Sequence, residues 1–122
     1  MRLMRLLCLG TAAAGLACGG GSTGTTGGGG PTANEVWMQN SAFNPATRTV
    51  AAGTAVTFTN KDGTTHTVDF SSMPAGAAVT NSGNVAGSGT VLRTFTVVGT
   101  YQYFCNIHGS PGAGMNGTIT VN

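Results

Sequence analysis

The chain has 122 residues, enough for one modest domain, and only 7% of them are charged. Its formal net charge of +2 comes from Arg2 and Arg5, because three basic and three acidic residues balance in the rest of the chain. Without a basic stripe, the composition argues against nucleic acid as a partner and against electrostatic attachment to an anionic membrane. The abundance of Gly, Thr, Ala and Val suits a β-protein outside the cytoplasm.

Residues 1–18 have the layout of a secretory signal peptide, with a positive start, a short apolar stretch and then small residues. The apolar stretch is too short to span a membrane. Cys18, directly after Ala17, resembles the acylated cysteine of a bacterial lipoprotein, although Gly15 stands where such sequences usually have Leu. We therefore expect an exported protein in the periplasm or on the outer face of a bacterial membrane. Lipidation of Cys18 is the hypothesis, and ordinary cleavage nearby is the alternative.

Residues 19–30 read GGGSTGTTGGGG and predict a flexible linker, because they offer no apolar side chain to bury. A coil of this length and composition has an r.m.s. span of about 19 Å. The predicted organisation is therefore a signal peptide over 1–18, a linker over 19–30 and a folded domain over 31–122.

From Pro31 onward, short runs of alternating apolar residues are separated by Gly, Asn, Asp and Pro, a pattern typical of a β-sandwich or barrel. Residues 71–90 contain few large apolar side chains and predict an irregular excursion with at most one helical turn. A turn at 60–63 brings His66 just past a loop. The predicted strands cover 35–39, 47–51, 55–60, 66–70, 91–98, 101–105 and 117–121.

Cys105, His108 and Met115 fall within eleven residues, at the end of a predicted strand and through the predicted loop NIHGSPGAGM. Each has an ordinary structural explanation when taken alone. In an oxidising compartment, however, an unpaired Cys105 would invite oxidation, and Cys18 on a flexible tether is a poor disulfide partner for it. A metal ligand explains Cys105 better.

Together with His66, these residues supply one thiolate, two imidazoles and a thioether, a soft ligand set that selects copper. The set matches the trigonal plane of two His and one Cys with a weak axial Met that is found in electron-transfer copper sites. Zinc could occupy such a pocket, but it has no redox chemistry. The predicted ligands of one copper ion are His66, Cys105, His108 and Met115.

The predicted function is that of a single-electron carrier cycling between Cu(I) and Cu(II) and meeting redox proteins transiently. An oxidase or nitrite reductase would need a second metal centre, or an open coordination position with acid and base groups, and the chain has only two His and three carboxylates. We therefore expect that this protein is not an enzyme. Copper storage or delivery is the alternative function. The complete ligand set argues against a metal-free structural sandwich.

The segment GTYQYFCNIHGSPGAGMNGTITV resembles the carboxy-terminal signature of the cupredoxin family, closest to plastocyanins and their bacterial relatives. VTFTNKDGTTHTVDF is similar to the first-histidine strand of that family, and AFNPATRTVAAGTAV to its second and third strands. The likeness covers residues 34–121. It implies an all-β Greek-key β-sandwich of about eight strands with copper near one end. It also implies equatorial ligation by His66, Cys105 and His108, axial ligation by Met115, and a tyrosine corner at Tyr101.

Two positions depart from the family pattern. Thr67 stands where the family commonly has Asn, whose longer side chain braces the Cys-bearing loop, so the rigidity of that loop is in question. Six residues separate His108 from Met115, against four in typical plastocyanins. The edge of the His108 ring is the expected electron port. Met73 either extends the apolar docking surface around that edge or packs under the excursion.

Overall fold

Eight β-strands and no helix make up the part of the chain that the computed structural model describes, residues 29–122. The strands are β1 (Glu35–Gln39), β2 (Ala42–Asn44), β3 (Thr47–Val50), β4 (Thr54–Asn60), β5 (Asp69–Ser72), β6 (Thr90–Phe95), β7 (Gly99–Ser110) and β8 (Ala113–Val121). Within this range there is no helix with the length and apolar character that a membrane span requires. The predicted signal peptide and most of the predicted linker lie outside the described residues, and both segments stay predictions.

The strands form two four-stranded sheets, with the orders β2-β1-β4-β6 and β3-β8-β7-β5. β1 runs parallel to β4 and β3 runs parallel to β8, whereas the other neighbouring pairs are antiparallel. One apolar core draws residues from both sheets, because alternate side chains of each strand face the opposite sheet. The predicted all-β sandwich is confirmed.

Aromatic rings fill the centre of this core. The Tyr103 ring packs edge-to-face against Phe43 and Phe58, with centroids 4.7 and 5.3 Å away. It also lies over Gly117 on the neighbouring strand, where a Cβ would come within 2.4 Å of the ring. Gly117 is therefore required by the close approach of Tyr103. The hydroxyl of Tyr101 donates a 2.7 Å hydrogen bond to the carbonyl of Val97, as expected for a tyrosine corner.

β1 matches its prediction, and the predicted strands over 47–51 and 55–60 shift by one residue at an end. The strand predicted over 66–70 is wrong at its start. β5 begins at Asp69, and His66 instead forms an isolated bridge with Val85. The excursion over 71–90 therefore returns across the end of the sandwich to pair with His66. It contains turns, such as the one closed by Ala77 N–H and the Pro74 carbonyl, but no helical turn.

β7 and β8 are longer than predicted, because the segment expected to be a loop is a β-hairpin. Phe104 pairs with Asn116, and Gly109 pairs with Gly114. Between these two pairs lie four residues of β7 but only one residue of β8. The additional residues form a bulge over 105–108, and regular pairing resumes beyond it. This bulge carries two of the predicted ligands.

Candidate metal centre

His66, Cys105 and His108 meet at one end of the sandwich. His66 is held on the backbone, because its N–H donates to the Val85 carbonyl at 3.0 Å and its carbonyl accepts from the Val85 N–H at 2.7 Å. Cys105 and His108 lie on the bulge of β7, which turns both side chains toward His66. His66 and Cys105 thus belong to one cluster although they are 39 positions apart in the chain.

The donor atoms of the three side chains converge. The His66 and His108 Nδ1 atoms lie 3.1 Å apart, and Cys105 Sγ lies 3.8 and 3.6 Å from them. The centre of the circle through these three atoms is about 2.0 Å from each, close to the roughly 2.0 to 2.3 Å at which nitrogen and sulfur ligands hold a first-row ion such as Zn²⁺. The cluster therefore fits a single metal ion, and its thiolate and imidazole donors favour copper.

The three side chains of this cluster differ in burial. His66 and Cys105 are fully buried, whereas His108 is only half-buried. The side chain of Ile107, next to His108 in the chain, is 49% exposed. Met73 is 38% exposed, but it lies away from the cluster, because Ser72 pairs with Gln102 and Pro74 lies against Gly99 at the start of β7. Met73 therefore neither extends the surface around His108 nor packs under the excursion. The edge of His108, with Ile107 next to it, is thus the part of the cluster closest to solvent.

Hydrogen bonds favour the thiolate form of Cys105. Burial opposes ionisation, but the Thr67 N–H, the His108 and His66 rings and the Ile107 N–H together lower the pKa of the thiol to about 6. The Thr67 N–H lies 3.4 Å from Sγ. The thiolate is the form that binds metal.

Thr67 also braces the bulge through its hydroxyl. Oγ1 accepts a 2.9 Å hydrogen bond from the Asn106 N–H and donates a 2.6 Å hydrogen bond to Asp69 Oδ2. The backbone next to Cys105 is thereby tied to the segment that carries His66. The shorter side chain at position 67 does connect the two ligand-bearing segments, and Asp69 completes the connection.

Asp62 is a residue of this site that the sequence interpretation missed, because its place in a turn offered a sufficient explanation. Its Oδ2 lies 2.8 Å from His66 Nε2, on the far side of the ring from the donor cluster. Hydrogen bonds from the backbone N–H groups of Ser41 and Asn40 hold the pKa of Asp62 below its usual value. The feature of the sequence that could have indicated this contact is that Asp62 stands four residues before His66.

Met115 lies on β8, is 1% exposed and follows Gly114 directly. Its backbone packs against Gly109, where a Cβ would come within 2.6 Å of the Met115 N. Met115 is thus buried beside the bulge, and its role as axial ligand stays a prediction. Cys18, the predicted lipidation site, lies outside the described residues.

Comparison with known proteins finds a matching family of copper-binding proteins. Residues 32–122 match the family model of copper binding proteins, plastocyanin/azurin family. Plastocyanin A/B of Petroselinum crispum is 38% identical over 86 residues, which cover 66% of this chain and 87% of the relative. Plastocyanin of Scenedesmus fuscus is 39% identical over 85 residues, covering 65% of this chain and 85% of the relative.

Among solved structures, a mutant of amicyanin in the Cu(I) state superposes with a TM-score of 0.62 at 27% identity. The superposition covers 72% of this chain and 80% of the amicyanin chain. The cluster of His66, Cys105 and His108 and these relatives together confirm the prediction of copper as the cofactor. The chain therefore belongs to the plastocyanin/azurin family of copper-binding proteins, the cupredoxins.

Proposed function

We propose that this protein is a single-electron carrier of the cell envelope with one type 1 copper ion. His66, Cys105 and His108 would hold the ion as its main ligands, and Met115 would be a weak fourth ligand. The convergence of Nδ1, Nδ1 and Sγ on a point about 2.0 Å from each carries this proposal, because it matches one small soft cation. The family relationship to plastocyanins and amicyanin supports it.

Bound copper supplies a reversible one-electron couple, and the residues around it keep the donor atoms in place. The Val85 bridge fixes the backbone of His66, and the Thr67 hydroxyl fixes the bulge beside Cys105. Little rearrangement then accompanies a change of charge, and the barrier to electron transfer is low. His108 provides the route to a partner, because it is the equatorial ligand with the greatest access to solvent.

Copper storage or delivery is the second candidate, since it would use the same residue types. A delivery site needs ligands that exchange readily with a partner. Here His66 and Cys105 are fully buried and hydrogen-bonded, which suits retention of the ion during electron transfer. The proposal includes no enzymatic activity.

The location is part of the proposal. Export by the signal peptide over 1–18 and acylation of Cys18 would hold the domain near a membrane. The linker over 19–30 would let the His108 edge reach membrane-bound redox proteins at high effective concentration. The encounters would be transient, because the few charges of the domain provide little electrostatic steering.

Optical and paramagnetic resonance spectra of copper-loaded protein test the function. We expect an intense visible sulfur-to-copper charge-transfer band and a narrow copper hyperfine splitting, and Cys105→Ser should abolish both. A colourless wild-type protein that binds Cu(II) only through nitrogen and oxygen would refute the electron-carrier function and favour storage.

A further inference from the structure

The contact between Asp62 and His66 involves the ring nitrogen that does not face the ligand cluster. His66 Nδ1 lies toward His108 and Cys105, and Nε2 lies 2.8 Å from Asp62 Oδ2. We propose that Asp62 is a positioning residue of the copper centre, which fixes the orientation and tautomer of His66 and whose charge favours Cu(II) over Cu(I). This inference rests on the proposed function.

The tautomer follows from the chemistry of the two groups. A carboxylate only accepts hydrogen bonds, and a neutral imidazole has one N–H, so the 2.8 Å contact places that hydrogen on Nε2. The lone pair of Nδ1 then faces the cluster. His108 Nδ1, 3.1 Å away, would donate to it in the metal-free protein. Asp62 thus keeps the donor atom of His66 in the form that binds a metal.

Asp62 is itself held on three sides. Its Oδ1 accepts from the Asn40 N–H at 2.8 Å, and its Oδ2 accepts from the Ser41 N–H at 3.0 Å. Its own N–H donates to Asn60 Oδ1 at 2.9 Å. Asn40 and Ser41 form the turn between β1 and β2, with φ of 56° and 55°. The His66 ring is therefore tied through one carboxylate to the β1–β2 hairpin, which limits rotation of the ring.

Asp62 carries the negative charge that directly contacts the predicted copper site, and no nearby cation of the described residues neutralises it. Among the carboxylates of residues 29–122, Asp62 is the one that hydrogen-bonds to a predicted copper ligand, whereas Glu35 contacts Thr59 and Asp69 contacts Thr67. Among residues 29–122, no Lys or Arg forms an ion pair with Asp62, and the Nζ of the neighbouring Lys61 lies over the Trp37 ring, 4.5 Å from its centroid. A carboxylate that has no cationic partner in this part of the chain and contacts the Nε2 of His66 stabilises the more highly charged oxidation state of the metal.

Two measurements test the proposal. In metal-free wild-type protein, long-range ¹H–¹⁵N correlation spectra of the imidazoles should show His66 with its hydrogen on Nε2. In copper-loaded protein, Asp62→Asn should lower the preference for Cu(II) over Cu(I) about tenfold, which raises the reduction potential by about 59 mV for a one-electron couple. Glu35→Gln is the matched control. It removes the same charge at the opposite end of β1, and it should leave the potential unchanged.

A His66 hydrogen on Nδ1 in the metal-free wild type would overturn the proposal, and so would equal potentials in Asp62→Asn and Glu35→Gln. The tautomer measurement needs no variant and no copper, so it does not depend on how well Asp62→Asn folds. It is also independent of the proposed function. A wild type without the charge-transfer band would refute the electron carrier, while the metal-free spectra would still decide whether Asp62 sets the tautomer of His66.

Discussion

Replacing Thr67 with Val tests how the copper-binding bulge is held. The substitution keeps the β-branched shape of the side chain and removes only the hydroxyl. Asp69 Oδ2, in a residue that is 9% exposed, then loses its hydrogen-bond donor, and the Asn106 N–H loses its acceptor. A hydrogen bond to a charged group contributes about 1.5–3 kcal/mol, and a partly exposed neutral one about 0.5–1.5 kcal/mol. We expect the free energy of unfolding to fall by about 2–4 kcal/mol.

Urea unfolding of the metal-free protein, followed by the fluorescence of Trp37, the single tryptophan of the chain, measures this change without a contribution from copper binding. For a domain of this size, the melting temperature should fall by about 10 °C or more. Thr94→Val is the matched control, because Thr94 is exposed on β6, and its effect should stay within about 0.5 kcal/mol.

A double mutant separates the two lost contacts. If the unpaired carboxylate of Asp69 is the main cost, then Asp69→Asn should be less harmful in the Thr67→Val background than in the wild type. Equal stabilities of Thr67→Val and Thr94→Val would contradict this prediction, since the hydroxyl would then contribute nothing to the connection between the bulge and the His66 segment.

Three further results are expected. Met115→Leu should keep the visible band and raise the reduction potential, because loss of a donor disfavours Cu(II); an unchanged potential in voltammetry would point to another axial group. Gly117→Ala should destabilise the fold by about 1–3 kcal/mol, because its Cβ would meet the Tyr103 ring at 2.4 Å, whereas Gly63→Ala, with open space around the Cβ, should have little effect in the same urea titration. Intact-mass measurement of the membrane fraction from a bacterial host should show a chain that begins at Cys18 and carries at least two acyl groups; a soluble chain starting later and without lipid would contradict the anchor.

The elements that the sequence predicted well are those in which local pattern and tertiary position agree. β1 and β4 alternate buried and partly exposed residues along their length, so their periodicity of two was readable. β2 was missed because it has only three residues and depends on the turn at Asn40 and Ser41, whose positive φ no local rule for these residues required. The start of β5 was misplaced because pairing of His66 with Val85 is a contact between distant segments.

The ligand residues could be predicted from the sequence because the chain contains few other residues of the same types. Cys105 is the one cysteine beyond the predicted leader and linker, and the chain has two histidines. The supporting contacts were not readable in the same way. Asp62 has a local role in its turn, and only the folded chain brings its Oδ2 to within 2.8 Å of His66 Nε2. The sequence likewise places Thr67 beside His66 without indicating that its hydroxyl reaches Asn106, 39 positions away.

The paired hairpin beyond the bulge allows the tip of this segment to vary without moving the metal-binding residues. Gly109 pairs with Gly114 and Ser110 pairs with Ala113, so the residues that make this segment two longer than in typical plastocyanins amount to one additional cross-strand pair. Adding or removing such a pair preserves which side chains face the core. The tip at Gly112, with φ of 77°, can thus lengthen or shorten in steps of two residues while the donor atoms stay in place. The length of the hairpin tip and the geometry of the donor atoms can therefore change independently within one continuous hairpin.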